Sequence, residues 1–159
     1  MSIIIEEIVG TLPDTRHLVR VGWRLLAALI VGAIIGYQRE RAGKAAGLRT
    51  HLLVAMGTST FVICAIEYGM QNDALSRVVQ GLVTGIGFLG TGAIMKREGP
   101  QEIHGITTAA GIWMTAAVSI AIGMGQIVLG LIGAGLAWIV LAVLYKFEPR
   151  NEDGQRHSR

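Results

Sequence analysis

The sequence predicts an all-α fold, a polytopic membrane bundle of about five transmembrane helices with the N-terminus outside and the C-terminus cytoplasmic. Three observations carry this reading. Of the 159 residues, 52% are hydrophobic and only 16% charged, and the mean hydropathy is +0.53, which is not the composition of a soluble domain. The apolar residues fall in runs of about 20, the length that crosses a bilayer, divided by short charged stretches rather than by domain-sized segments. The cations are also lopsided. Of the 14 Lys and Arg, only Arg16, Arg20, Arg24 and Arg77 fall on one side of a five-span arrangement; the rest lie in 39–49, 96–104 and the tail. The positive-inside rule makes that richer side cytoplasmic.

Taken in order, residues 1–17 read as an N-terminal interfacial segment, 18–146 as the transmembrane domain and 147–159 as a disordered cytoplasmic tail. The Ile-rich start with Glu6 and Glu7 is too short to span, Pro13-Asp14 breaks it, and its acidic flank does not resemble a cleavable signal. The first span covers about 18–38. Arg16, Arg20 and Arg24 recur on one face at its entrance, suited either to snorkelling or to lining a pathway. A basic island, Arg39 to His51, follows. The second span covers about 50–68, and a polar connector, Gly69 to Ser76, leads to a glycine-rich third span over about 77–95. Lys96 to Glu102 is a charged Gly-Pro surface turn. The fourth and fifth spans cover about 105–123 and 127–145, with Gly123-Met124-Gly125-Gln126 between them.

Winding each span at 100° per residue distinguishes the faces. On the third, Asp73, Arg77, Gln80, Thr84, Gly87 and Thr91 share an arc of roughly 80°, polar along nearly the whole helix. On the fourth, His104, Thr107, Thr108, Gly111, Thr115 and Ser119 share about 120°. Ala33, Gly36 and Glu40 line one face of the first and Arg49 directly precedes an apolar run, so Glu40 and Arg49 read either as cytoplasmic surface charges or, as these placements favour, as buried or re-entrant. Gly32-x-x-x-Gly36 and Gly81-x-x-x-Gly85 have the spacing of packing seams, and Gly87 and Gly92 extend the second. Thr and Ser on such faces either bond to their own backbone or line a functional surface. Arg77 suits either a surface pair with Asp73 at the outer interface or, with Gln80, the mouth of a polar cavity.

Enzymatic chemistry is not expected. The chain has no His-Glu-x-x-His, nucleophile elbow or phosphate-binding loop, and Gly85-x-Gly87-x-x-Gly90 follows no strand. The single Cys64 gives neither a disulfide framework nor a metal motif. Net charge +3 with a pI near 9.4 is accounted for by cytoplasmic flanks, so nucleic acid is not an expected partner. No cofactor is expected. Mg²⁺, which prefers oxygen ligands, is a possible ligand or substrate, but Glu40 and the pair Glu67 and Asp73 fall on opposite sides of the membrane and cannot form one site.

Four ordered stretches, Gly36-Tyr37-Gln38-Arg39-Glu40-Arg41, Gly47-Leu48-Arg49-Thr50-His51-Leu52-Leu53-Val54, Gly85-Ile86-Gly87-Phe88-Leu89-Gly90-Thr91-Gly92 and Gly105-Ile106-Thr107-Thr108-Ala109-Ala110, together resemble the MgtC/SapB family of bacterial inner-membrane proteins. The match departs at Tyr37-Gln38, where the family's first motif has Leu-Glu, and the chain resembles the short form lacking a C-terminal ACT-like domain. The resemblance implies a multi-pass inner-membrane protein linked to adaptation to low Mg²⁺ and, in pathogens, to virulence. It implies action as a membrane regulator through partners such as the ATP synthase; the alternative is a transporter or channel for Mg²⁺ or another solute. A homo-oligomer, with a dimer favoured, is expected in either case. Carried onto this sequence, the motifs nominate Glu40, Arg49, Thr50, His51, Arg77, Gln80, Thr107 and Thr108, which with Thr84 of the third span's polar arc make up a candidate functional polar cluster. Gly32, Gly36, Gly81, Gly85, Gly87 and Gly92 are nominated for helix packing. The basic island is expected to fold back against the inner ends of the third and fourth spans, near Thr91, His104 and Thr107.

Overall fold

A computed structural model describes residues 14–96 and 103–143. Within them the chain forms five helices: α1 (Thr15–Arg41), α2 (Leu48–Glu67), α3 (Asn72–Ala93), α4 (Ile106–Gly123) and α5 (Ile127–Val143). The expected spans are therefore present, each within a few residues of its sequence boundaries. Two differences have local causes. Thr15 to His17 already belong to α1, because the carbonyl of Asp14 accepts the amides of His17 and Leu18 and starts the helix there. Asn72 and Asp73 lie in the first turn of α3 rather than in a connector, with Asp73 at the positive end of the helix dipole. Met95–Lys96 (β1) and Ile103–His104 (β2) form a two-residue antiparallel pairing at the base of the 96–102 turn, whose tip lies outside the described residues. The Ile-rich start and the charged tail also lie outside them.

Three helices, α1, α2 and α4, are long and apolar enough to cross a membrane. The fourth, α5, is apolar throughout but has 17 residues, about 26 Å of helix. With 22 residues α3 is long enough, but its polar stripe keeps it out of that group.

The bundle is organised around α4, which touches α1, α2, α3 and α5, while α1 lies along α2. Close approach of α1 and α2 depends on glycine. A Cβ on Gly32 would sit 2.8 Å from the His51 carbonyl oxygen, and one on Gly36 would sit 2.8 Å from the Leu48 Cα. Gly32 and Gly36 thus lie where the first two helices come closest. One apolar cluster joins Ala28, Val31 and Ile35 of α1 to Val118 and Ile122 of α4 and Ala134 of α5. A second joins Ala46, in the loop after α1, to Ile86 of α3 and Ile112 and Ala116 of α4. The basic island therefore does fold back onto α3 and α4. Its turn is set by Gly43 at φ +65°, where the Lys44 amide reaches the Arg39 carbonyl, 3.1 Å away, to close the end of α1.

Candidate functional site

At the loop end of the bundle, α1, α2 and α4 bury a column of polar side chains. The buried face of α1 runs Ala28, Val31, Gly32, Ile35, Gly36 and then Arg39, so helical period carries a guanidinium into the core, 2% exposed. Its Nη2 donates to Thr108 Oγ1 of α4 at 3.0 Å. His51 of α2, 0% exposed, lies with Nδ1 2.7 Å from Thr115 Oγ1. Thr115 is also 3.0 Å from the Gly111 carbonyl. A hydroxyl has one proton; given to Gly111, it leaves the hydroxyl oxygen to accept from an Nδ1–H. One and two turns further along, Ser59 of α2 donates to the Ser119 carbonyl at 2.8 Å. Gly111 lies beside both side chains: a Cβ there would be in ordinary contact, 3.7 Å from His51 Cε1 and 3.9 Å from Arg39 Nε.

Polar groups buried in a membrane bundle cost several kcal/mol unless paired, so this column fixes how α1, α2 and α4 register against one another. Two of the nominated residues, His51 and Thr108, belong to it. Thr115, Gly111 and Ser119 sit on the same arc of α4, whereas His104 and Thr107 are exposed; the 120° arc is therefore split, one side turned to α2 and the other outward. Arg39 and Ser59 were not nominated. The signal for Arg39 was the period-3.6 series from Ala28, which arrives at Arg39 rather than at the next residue.

Glu40 is a correction. The face drawn through Ala33 and Gly36 made it buried or re-entrant, but it is exposed. Its Oε2 accepts the Leu48 amide at 2.8 Å, capping the first turn of α2 where the helix dipole favours a carboxylate. Gly47 makes room for it, since a Cβ there would lie 2.8 Å from Glu40 Oε2. Arg49 is exposed and Thr50 half-buried. At the opposite end Arg24 donates to the Gly123 carbonyl at 3.1 Å, tying α1 to the last turn of α4, while Arg16 and Arg20 are exposed. His17 there pairs with Glu67.

The third group stands apart. Arg77, Gln80, Thr84, Gly87 and Thr91 are all exposed, whereas Ile86 and Gly90, on the far side of α3, are buried. The polar stripe of α3 therefore points away from the protomer and does not meet the polar arc of α4, whose Thr115 and Ser119 are 0% exposed. Thr84 and Thr91 donate to the Gln80 and Gly87 carbonyls, 2.9 and 3.0 Å away. Nothing lies within 4 Å of a Cβ built on Gly81, Gly85, Gly87 or Gly92, so within the protomer these glycines pack against no neighbour. Gly81 and Gly85 instead line an open apolar groove of about 580 Å³ between α2 and α3. Thr50 and Thr91 border its continuation towards Ala46. Among the described residues no three His, Cys, Asp or Glu side chains cluster as a metal site.

A model of the MgtC family matches residues 25–150. SrpB of Synechococcus elongatus is 46% identical over 131 residues, 76% of this chain and 72% of the relative. YhiD of Escherichia coli, which carries a provisional magnesium-transporter name, is 42% identical over 132 residues, 77% of this chain and 60% of its own length. MgtC of Salmonella typhimurium is 42% identical over 102 residues, 64% of this chain and 42% of its own length. The chain thus spans less than two thirds of YhiD and of MgtC. No solved structure matches it.

Proposed function

The chain belongs to the MgtC family, and from that premise we propose that it is a multi-pass protein of the bacterial inner membrane serving adaptation to scarce Mg²⁺ as a regulator, by contact with membrane proteins rather than by passing an ion. The supporting observation is the division of polar groups. Arg39, His51, Ser59, Thr108 and Thr115 of α1, α2 and α4 are turned inward and hydrogen-bonded across the helices, while the polar side chains of α3 are turned outward. A polar stripe facing hydrocarbon is unfavourable, so it is the surface that a protein partner would cover. In this reading the N-terminus lies outside, and the loop bearing Arg39, Arg41, Lys44 and Arg49 lies in the cytoplasm. A cytoplasmic loop end would set the Arg39–Thr108 bond near that face. The ATP synthase is one partner that the family resemblance suggests.

A second reading, transport of Mg²⁺ or another small solute, is favoured by one feature. The stripe from Asp73 to Thr91 is about 27 Å long at 1.5 Å per residue, close to the thickness of the hydrocarbon core. Stripes from two or more copies would line a polar seam. The two readings separate by flux and growth. The protein should support growth of a host lacking its own family member in Mg²⁺-poor medium, and Gln80→Leu should lose that support. Liposomes holding the purified protein should admit no more Mg²⁺ than empty ones. Mg²⁺ entry that Arg77→Ala abolishes would overturn the regulator in favour of the transporter.

A further inference from the structure

Asp73, Arg77, Gln80, Thr84, Gly87 and Thr91 are spaced alternately by four and three residues. Five steps over 18 residues average 3.6, the period of a straight α-helix, so these side chains form one continuous stripe along the whole of α3. Its chemistry also points to a particular partner. Asp73 and Arg77, one turn apart on α3, do not pair with each other, and the Gln80 amide has no partner among the described residues.

From this pattern we infer that α3 packs against α3 of a second copy about a two-fold axis along the membrane normal. Parallel stripes then meet residue for residue, as an isologous contact requires. Asp73 of each copy reaches diagonally, one turn along, to Arg77 of the other, so two opposite-charge pairs form across the axis at the N-terminal end of α3. Gln80 meets Gln80, and a primary amide carries both donors and an acceptor, making it self-complementary. Gly87 lets the backbones approach. Thr84 and Thr91 have given their protons to their own helix, yet their oxygens remain acceptors. The inference rests on the reading of the stripe as a contact surface and names what covers it.

Disulfide mapping in native membranes tests it. The full chain, with Cys64 replaced by Ser, receives one cysteine at Gln80, Thr84 or Thr91 on the stripe, or at Leu129 on the exposed face of α5, and is oxidised. All these side chains are exposed in the protomer, so the substitutions disturb no packing. Stripe cysteines should shift most of the protein from 16.9 kDa to twice that mass, and the Leu129 cysteine should not. Arg77→Asp should reduce the shift at Thr84→Cys, and adding Asp73→Arg should restore it. Monomer at every stripe position, equal dimer at Leu129, or a product only with another polypeptide overturns the inference. If growth in Mg²⁺-poor medium still depends on Gln80 in that case, the contact reading survives and only the second copy is wrong.

Discussion

The Arg39 guanidinium of α1 donates to the Thr108 hydroxyl of α4, 3.0 Å away and buried. Hydrogen bonds to charged groups are worth about 1.5–3 kcal/mol, and a buried charge that loses its partner costs more than the bond itself. Thr108→Val should therefore destabilise the folded protein by about 2 kcal/mol, read as a lower unfolding midpoint in detergent. Arg39→Lys should do at least as much harm, since an ammonium lacks the planar fork that reaches Thr108. A midpoint unchanged in Thr108→Val would mean that the contact adds nothing.

His51 and Thr115 supply a test by conservative replacement. Thr115→Val keeps the shape but removes the hydroxyl that faces both His51 Nδ1 and the Gly111 carbonyl. A loss of about 1–3 kcal/mol is expected for stranding a buried polar group. Thr115→Ser keeps the hydroxyl and should recover most of that loss. Equal loss in both variants would assign the effect to packing rather than to the hydrogen bond.

The glycines divide sharply. Gly36→Val would drive a side chain into the Leu48 Cα and His51 Cβ, 2.8 and 2.9 Å from even a bare Cβ. It should cost about 1–3 kcal/mol or more as overpacking. Gly85→Ala meets nothing within 4 Å and should leave the isolated protomer as stable or slightly more so, through helix propensity. Thermal unfolding of the two variants side by side distinguishes them. A destabilised Gly85→Ala protomer would contradict the open groove between α2 and α3.

Glu40 acts on the helix it caps. Glu40→Ala removes the acceptor of the Leu48 amide and should cost about 1 kcal/mol, the usual loss for a removed cap. It should also speed hydrogen exchange in the first turn of α2, while exchange in the middle of that helix stays near wild type. Faster exchange throughout α2 would mean that Glu40 holds the whole bundle.

The helices were legible because hydropathy and charge punctuation act along the chain, and each boundary depends on nearby residues such as Asp14, Gly43 and Gly105. Gly105 sits at φ +97°, where a Cβ would run into the Ala93 carbonyl; that explains a glycine opening the Gly105-Ile106-Thr107-Thr108 motif. The polar faces of α3 and α4 could also be drawn from periodicity. Which neighbour each face meets could not, because it depends on how helices distant in sequence are arranged. Hence both arcs are polar in the sequence, yet that of α3 faces out while Thr108, Thr115 and Ser119 of α4 are buried. A difference of one residue, 100° on the helix, likewise separates exposed Glu40 from buried Arg39.

The stripe of α3 as a covered contact surface is tested most directly by a nitroxide label at Thr84, introduced as cysteine in a Cys64→Ser background. Its collision rates with oxygen, which concentrates in lipid, and with a water-soluble nickel chelate are compared with those of a label at Leu129. The contact predicts low accessibility to both reagents at Thr84 and high oxygen accessibility at Leu129. A Thr84 label as open to oxygen as Leu129 would place the stripe in lipid, and one open to the nickel chelate would place it along a water path; either result contradicts the account.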